Sequence, residues 1–474
     1  MTTVPRVRAH LLTIGDELLS GDIVDKNKAW LGRRCRALGL EVVRATTVRD
    51  RQQEIVDAIH VAAGDAQVCL VSGGLGPTTD DLTAASAAVA AGVGLVRDQG
   101  LADRLTDFFA SRGRELVETN LKQADLPAGA SVLDNPIGTA AGFALDVRSP
   151  DAEGALGAGA GAGPGCWLFS MPGVPRELHL MMREQVEPRL RERFELEPIP
   201  RRIYRALGSG ESTVQHNVEA VLAAARERSP GLANMFVHFR ARYPEVQLIL
   251  EATPGQAGAG AGAGASAAEL ATLDEPLAQA IGPALYAIEG DAVDAGEGSG
   301  ELAGLLVRKL IEEGLTLATA ESCTGGGVGQ TVTSVSGSSA CFVGGVISYS
   351  NAVKIAQLGV PERVLEAHGA VSEPVARAMA EGVRARLGAD IGVSTTGVAG
   401  PGGGTEAKPV GTVDVAVATA EGTTYKRLRL FGRRETVRYA TIMWALKLIW
   451  DQLPGQSSKQ TPAPAGSAPA QTAD

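Results

Sequence analysis

Apolar and polar positions alternate along the first third of this chain in blocks whose period keeps changing. Val7–Ile14 is an apolar run of strand character. Lys26–Leu38 repeats Trp30, Leu31, Cys35 and Leu38 at helical spacing and stops at Gly39, a residue suited to a helix C-terminus. Leu40–Thr47 is again strand-like, Gln52–Ala63 puts Ile55, Val56 and Ile59 on one helical face, and Gln67–Ser72 is a third apolar run. The loop GGLGPTTDD follows, with a helix from about Leu82. Strand, helix, strand, helix, strand in this rhythm predicts a doubly wound, mostly parallel sheet wrapped by helices.

The pattern changes after residue 182. Arg201–Tyr286 opens on a strand-like RRIYRALG and continues into a helix over Glu211–Arg228. A strand pair within MFVHFRARYPEVQLILEA completes a small α+β module. Glu289–Gly300 is Gly-, Glu- and Asp-rich and reads as a linker. Beyond it Leu302, Leu305, Leu306 and Leu310 predict a helix over Glu301–Glu313. Strands are expected at LTLATA, Ala340–Tyr349, Ile391–Thr396 and Gly411–Ala420. Helices are expected over Ser372–Gly388, opened by a cap-like SEP, and Arg433–Leu453, closed by Pro454. Two tracts, Ala155–Gly165 and Gly255–Ser266, are nearly all Gly and Ala and read as flexible surface insertions, and the Ser/Pro/Ala/Gln-rich tail reads as disordered. The expected division is 1–182, a middle module over 183–290, a linker over 291–300, an α/β domain over 301–453 and a tail over 454–474.

Composition narrows the class. At 474 residues and 45% hydrophobic, the chain is long enough for two or three packed cores. A net charge of −10 disfavours direct nucleic-acid binding, although Arg201, Arg202 and Arg205 form a potential local basic patch. Five cysteines in no CxxC spacing read as free thiols of a reducing compartment, and no apolar run approaches a membrane span. The N-terminus lacks the apolar core of a signal peptide, so a cytoplasmic location is expected.

Chemistry concentrates in two places. In Thr316–Thr331, TLATAESCTGGGVGQT, a strand runs out into Ser322 and Cys323 and then consecutive glycines. Open α/β sheets bind ligands at such strand ends, and glycine lets backbone amides approach an oxyanion or phosphate. By residue type alone, Ser322 serves equally as a helix N-cap or a nucleophile. Cys323 competes with it as the stronger nucleophile. In the first third, Gly15-Asp16-Glu17, Asp50 and the loop Gly73–Asp81 all fall at strand ends. That loop offers Gly73, Gly74, Gly76 and Thr78 to phosphate oxygens, and Asp80 and Asp81 to a divalent metal. The alternative is a tight turn whose aspartates cap the next helix.

The motifs TIGDELLSGDIVDKN, SGGLGPTTDDLT, NLKQADLPAGASVLDNPIGTAAGF and MPGVPRELHLMM make the chain resemble the N-terminal domain of the CinA family, itself similar to molybdopterin-binding proteins. The resemblance implies metal-dependent hydrolysis of the ADP-ribose pyrophosphate, with Mg, Mn or Co as cofactor. Asp50 and Asp81 fall where the molybdopterin proteins keep functional aspartates. Asp16, Glu17 and Asp80 are further metal candidates, and Asn120, Lys122 and Asn135 are substrate candidates. The middle module resembles a KH-like piece, but GSGES supplies no GxxG clamp, so a spacer or dimerisation role is expected instead of RNA binding.

AESCTGG, GGVISYSNAVKIAQLGV, GAVSEPVA, TTGVAGPGGGTEAKPVGTV and FGRRETVR resemble the C-terminal domain of the same family and the stand-alone nicotinamide mononucleotide deamidases. The implied reaction converts nicotinamide mononucleotide to nicotinic acid mononucleotide and ammonia, without a cofactor. These motifs hold no histidine, His368 lying just before GAVSEPVA, so a Ser–His–Asp reading is poor and a Ser–Lys pair is available: Ser322 as nucleophile and Lys354, 32 positions on, as base. Burial would have to lower the Lys354 pKa. Tyr349 would relay a proton or orient the pair, and glycines 325–327 would supply oxyanion donors. Thr324, Gly325, Gly326, Thr396, Gly402 and Gly403 would line the nucleotide pocket. Arg434, in preference to Arg433, would grip the phosphate. The expected partners are therefore small nucleotides, nicotinamide mononucleotide and ADP-ribose, with a homodimer favoured. A competing reading is a non-enzymatic nucleotide- or pterin-binding partner in competence or the DNA-damage response.

Overall fold

The computed structural model describes residues 6–148, 165–252, 264–290 and 301–455. The two Gly/Ala tracts, the linker and the tail expected from the sequence lie almost wholly outside these residues. The chain divides into two compact units, one ending at Ile199 and the other beginning at Pro200.

The first unit is a six-stranded mixed sheet. β1 (Arg8–Ile14), β2 (Glu41–Val48), β3 (Val68–Ser72), β4 (Ser131–Leu133), β5 (Gly142–Val147) and β6 (Cys166–Met171) run in the order β2-β1-β3-β6-β5-β4. The first four positions pair in parallel and the last two antiparallel. α1 (Lys26–Leu38) buries Trp30, Leu31, Cys35 and Leu38 against one face. α2 (Gln52–Asp65) and α3 (Thr83–Ala90) cover the other through Ile55, Ile59 and Ala87. Helical spacing had placed the inward residues of α1 and α2 correctly, because an apolar stripe has to face the sheet. Gly39 ends α1 at φ 89°, and a Cβ there would sit 1.9 Å from the Glu197 carbonyl oxygen, so the position requires glycine. The expected boundary at 182 falls inside continuous helix from Pro175 to Arg193, which packs Met182, Val186 and Leu190 into the same core. The first unit therefore runs past it.

The second unit contains two sheets. β7 (Arg201–Leu207), β8 (Phe236–Arg242), β9 (Glu245–Glu251) and β10 (Leu285–Glu289) form an antiparallel sheet in the order β8-β9-β7-β10, covered by α4 (Glu211–Arg228). The expected basic patch does not exist. Arg205 is buried between Glu245 and Glu289, Arg201 pairs with Glu251, and Arg202 pairs with Asp274. These arginines neutralise carboxyl groups of their own module.

The second sheet follows helix α5 (Leu302–Glu312). It comprises β11 (Leu317–Glu321), β12 (Phe342–Ile347), β13 (Ile391–Gly397), β14 (Thr412–Ala418) and β15 (Thr423–Arg429), ordered β12-β11-β13-β14-β15. β12, β11 and β13 are parallel, whereas β14 and β15 join antiparallel. The helices are α6 (Gly327–Thr333), α7 (Asn351–Leu358), α8 (Glu373–Leu387) and α9 (Arg434–Trp450). Leu207 and Tyr286 of the middle module join the core built by α5, β13, β14 and α9, so the two parts share one hydrophobic interior. Gly208, at φ 83°, lies so close to Trp444 that a Cβ would fall 2.1 Å from the indole ring. Among the described residues no helix is long and apolar enough to cross a membrane.

Candidate active site

Three parallel strand ends converge in the second unit. β11 ends at Glu321, β12 delivers Ser348 just beyond Ile347, and β13 carries Thr395 and Thr396. Ser322 is the first residue off β11. Its amide donates to the Thr395 carbonyl (2.9 Å), while the Gly325 amide donates to the Ser322 carbonyl (3.2 Å). The chain then turns through Gly325 and Gly326, at φ 62° and 92°, a left-handed course that favours glycine, and enters α6.

Lys354 arrives from the first turn of α7. Ser350 caps that helix, its hydroxyl accepting the Val353 amide at 3.3 Å. The Lys354 side chain is turned inward and is 1% exposed. Its Nζ lies 3.1 Å from Ser322 Oγ and donates to the Ser348 carbonyl oxygen. Burial lowers the Lys354 pKa, with the nearby Cys323 opposing the shift weakly. No carboxylate pairs with the amine among the described residues; its partners are Ser322 Oγ and the Ser348 carbonyl. A neutral amine has two N–H groups and one lone pair. With one N–H directed at Ser348 O, the lone pair is available to accept the Ser322 O–H.

Cys323 borders the same cavity but is the poorer nucleophile. Its side chain belongs to the hydrophobic core, and burial pushes the thiol up to about 12, so the thiolate is scarce at neutral pH. The sequence reading takes Ser322 as the nucleophile over the neighbouring thiol, and the burial of Cys323 agrees with that choice.

A cavity of about 190 Å³ opens over the pair, lined by Ser322, Tyr349, Lys354, Val371, Thr396 and Arg434 among others. Arg434 begins α9; its Nη1 donates to Gly400 O (2.8 Å) and its Nη2 to the Tyr349 hydroxyl (3.4 Å). Tyr349 is 66% exposed, and its partner is this arginine and not the Ser322–Lys354 pair. Thr396 faces the cavity but spends its hydroxyl proton on Ala370 O at 2.8 Å.

Several expected contacts are not made. Thr324 is fully buried with its hydroxyl on Thr395 Oγ1 (2.7 Å), so it is a core residue. Gly325, Gly326, Gly402 and Gly403 are not in the cavity wall, the last two lying on an exposed loop. The amides of Gly325 and Gly327 close the turn onto Ser322 O and Thr324 O, so neither is held ready for an oxyanion. Ser372 does not cap α8; its hydroxyl donates to Gly369 O. Glu321 was not singled out from the sequence. Its side chain is 2% exposed and accepts the amides of Val328 (Oε2, 3.0 Å) and Gly329 (Oε1, 2.9 Å).

In the first unit the glycine loop is tightly built. Gly73 and Gly74 have φ 112° and 67°, and the Thr83 hydroxyl donates to Gly73 O at 2.8 Å. Asp81 neither caps α3 nor stands free: its carboxylate accepts both the amide and the hydroxyl of Thr78 and crowds Gly76. Lys122 donates to Thr78 O (2.6 Å), and Asn135 braces Gly138 and Glu177 rather than an open site. Asn120 lies in the short helical stretch Glu118–Ala124. Asp50 accepts the Asp16 amide at 2.9 Å. Burial raises its pKa, the Asp16 amide opposes this, and the carboxylates of Glu17, Asp16 and Asp80 add to the rise. These acids therefore share one neighbourhood. Even so, among the described residues no three acidic, histidine or cysteine side chains converge as a metal donor set, so the expected centre at Asp16, Glu17, Asp80 and Asp81 is not assembled.

Comparison with known proteins decides the family. Residues 300–453 match the CinA C-terminal domain, and residues 10–192 match the probable molybdopterin binding domain. A CinA-like protein of Geotalea uraniireducens is 37% identical over 93% of this chain and 96% of its own length. One from Frankia casuarinae is 38% identical over 98% of this chain and all of its own. The chain belongs to the CinA family. A competence/damage-inducible protein of Agrobacterium tumefaciens, of known crystal structure, is 39% identical and covers 32% of this chain and 94% of its own, with a TM-score of 0.31. Family membership accounts for the two-unit order and for the mixed α/β architecture of each.

Proposed function

We propose that the second unit of this CinA-family protein is an amidohydrolase that converts nicotinamide mononucleotide to nicotinic acid mononucleotide and ammonia. The observation that carries the reading is the buried Lys354 Nζ, 3.1 Å from Ser322 Oγ at the strand ends. Ser322 Oγ attacks the carboxamide carbon as its proton passes to the neutral Lys354 amine. The tetrahedral adduct collapses, and Lys354 returns that proton to the departing nitrogen, which leaves as ammonia. Water then attacks the acyl-Ser322 ester with Lys354 again as base, releasing the carboxylate. The mononucleotide would occupy the cavity over Ser322, with Val371 and Ala399 as apolar wall for the pyridine ring and Arg434, which lines the same cavity, as the cation for the phosphate. Planar, bidentate donors suit a phosphate.

Purified full-length protein incubated with nicotinamide mononucleotide should release ammonia and form nicotinic acid mononucleotide, identified by mass. Ser322→Ala should abolish both. Absence of product with the wild-type protein, or undiminished rate in Ser322→Ala, rejects the reading. Among the described residues the first unit's carboxylates do not converge as a metal donor set.

A further inference from the structure

We propose that Glu321 is a positioning residue for the nucleophile, an inference that rests on the amidohydrolase reading above. Glu321 is the last residue of β11, and a carboxyl group is an unusual occupant of a strand whose other members, Leu317 to Ala320, are buried. No cation pairs with it among the described residues. Its two oxygens instead take one amide each from the first turn of α6. A buried polar group of this kind is costly unless it is hydrogen-bonded, and here each oxygen has a backbone amide.

The segment it spans is the catalytic turn. Ser322 to Gly326 leave β11 immediately after Glu321 and enter α6 just before Val328, so one side chain ties both ends of the loop. Main-chain bonds complete a ring. The Ser348 amide donates to Glu321 O at 2.7 Å, Ser348 O receives the Lys354 amine, and Lys354 reaches Ser322, which is bonded to Glu321. Every member of the Ser–Lys pair is therefore referenced to Glu321, through its side chain on one side and its carbonyl on the other. A glutamine keeps the shape but offers one acceptor oxygen where two amides arrive, and its NH₂ faces an N–H. The α6 end of the loop is released while Lys354, anchored by Ser348, stays in place.

The test pairs two readouts on the full chain. One is steady-state hydrolysis of nicotinamide mononucleotide. The other is labelling of Ser322 by a fluorophosphonate, in which the Oγ–P bond forms, P–F breaks, fluoride leaves and the Oγ proton passes to Lys354. In Glu321→Gln, kcat per labelled site should fall about 10- to 100-fold, the loss expected of a nucleophile displaced by about 1 Å. KM should stay within about threefold, the acid limb of the pH–rate profile should keep its midpoint, and labelling should slow in step with kcat. A purely structural residue would lower the fraction of sites labelled and leave kcat per labelled site unchanged, and that result overturns the proposal. If Glu321→Gln does not fold, Glu321→Asp, one methylene short of both amides, is judged by the same ratio. Wild-type protein that labels at Ser322 but releases no ammonia refutes the substrate, while slowed labelling in the variant still supports the positioning role. Failure of the wild type to label at Ser322 refutes both.

Discussion

Replacing Lys354 with methionine tests the chemistry most directly. Methionine has similar length and suits a buried site, so the packing survives while the base is lost. An unshifted lysine amine is neutral in only about 0.1% of molecules near pH 7.4. Each unit by which burial lowers its pKa raises that fraction about tenfold, and this is what the enclosed position of Lys354 contributes. Loss of a positioned general base costs typically 10²- to 10⁴-fold in rate. The variant should therefore show kcat for ammonia release down by at least about 100-fold with KM nearly unchanged, since Lys354 is the partner of Ser322 and the proposal assigns the phosphate to Arg434. Lys354→Arg should be as inactive, because a guanidinium does not deprotonate. The double variant Ser322→Ala/Lys354→Met should be no slower than the worse single one, as expected of groups that act as a unit. A Lys354→Met protein that retains more than about a tenth of wild-type kcat, or losses that multiply in the double variant, would refute the dyad.

Cys323→Ala should keep kcat within about threefold, because the thiol is a core side chain pushed up to about 12; ammonia release measures this directly. Arg434→Ala should raise KM for the mononucleotide about 10- to 100-fold, the worth of a charge-assisted contact, and should leave the riboside lacking the phosphate almost unaffected. Gly208→Ala should destabilise the second unit by about 1–3 kcal/mol in urea unfolding, because the new methyl meets Trp444 and the backbone is left-handed there. Trp444→Ala should remove part of that cost.

Much of this fold was legible in the sequence. Stripes such as Trp30, Leu31, Cys35 and Leu38 and runs such as Val68–Ser72 state their burial through period alone. β15 was not legible, because TTYKRLR is an edge strand whose alternation is weak and whose charges find their partners only in the fold, Arg427 on Asp414 and Arg429 on Thr412. Nor was the shared core of the middle and last modules, since Leu207, Tyr286 and Trp444 are far apart in sequence and meet only through packing. At the site, Ser322 and Lys354 were nameable from motifs, but their 3.1 Å approach depends on β12 lying parallel beside β11. Thr324 and the glycines were over-read. A hydroxyl or an amide in a motif looks like a ligand contact until the partner that consumes it, such as Thr395 or the turn's own carbonyls, is known. Glu321 escaped notice for the converse reason: a carboxyl group at a strand end reads as solvated, and only the returning α6 shows why it is buried.

The neutral lysine should also leave a mark on stability. A buried amine with a lowered pKa binds fewer protons in the folded protein than in the unfolded chain, where lysine titrates near 10.4. Between the folded and unfolded pKa values the unfolded state therefore holds the extra proton, and stability rises with pH across that window. Below the folded value the amine is charged in both states, and the fold carries the full penalty of about 1.4 kcal/mol per unit of depression. Above about pH 10.4 the penalty is gone. Lys354→Met deletes this term and also leaves Ser348 O without the amine, a cost of about 1–3 kcal/mol that does not depend on pH. Urea unfolding of both proteins from pH 6 to 10.5 separates the two contributions. The offset at high pH measures the lost hydrogen bond, and the change in offset towards neutral pH measures the burial penalty, with the variant gaining on the wild type as pH falls. Curves that stay parallel throughout would mean that Lys354 folds with its proton on, and a lysine that keeps its proton is not available to accept the one on Ser322.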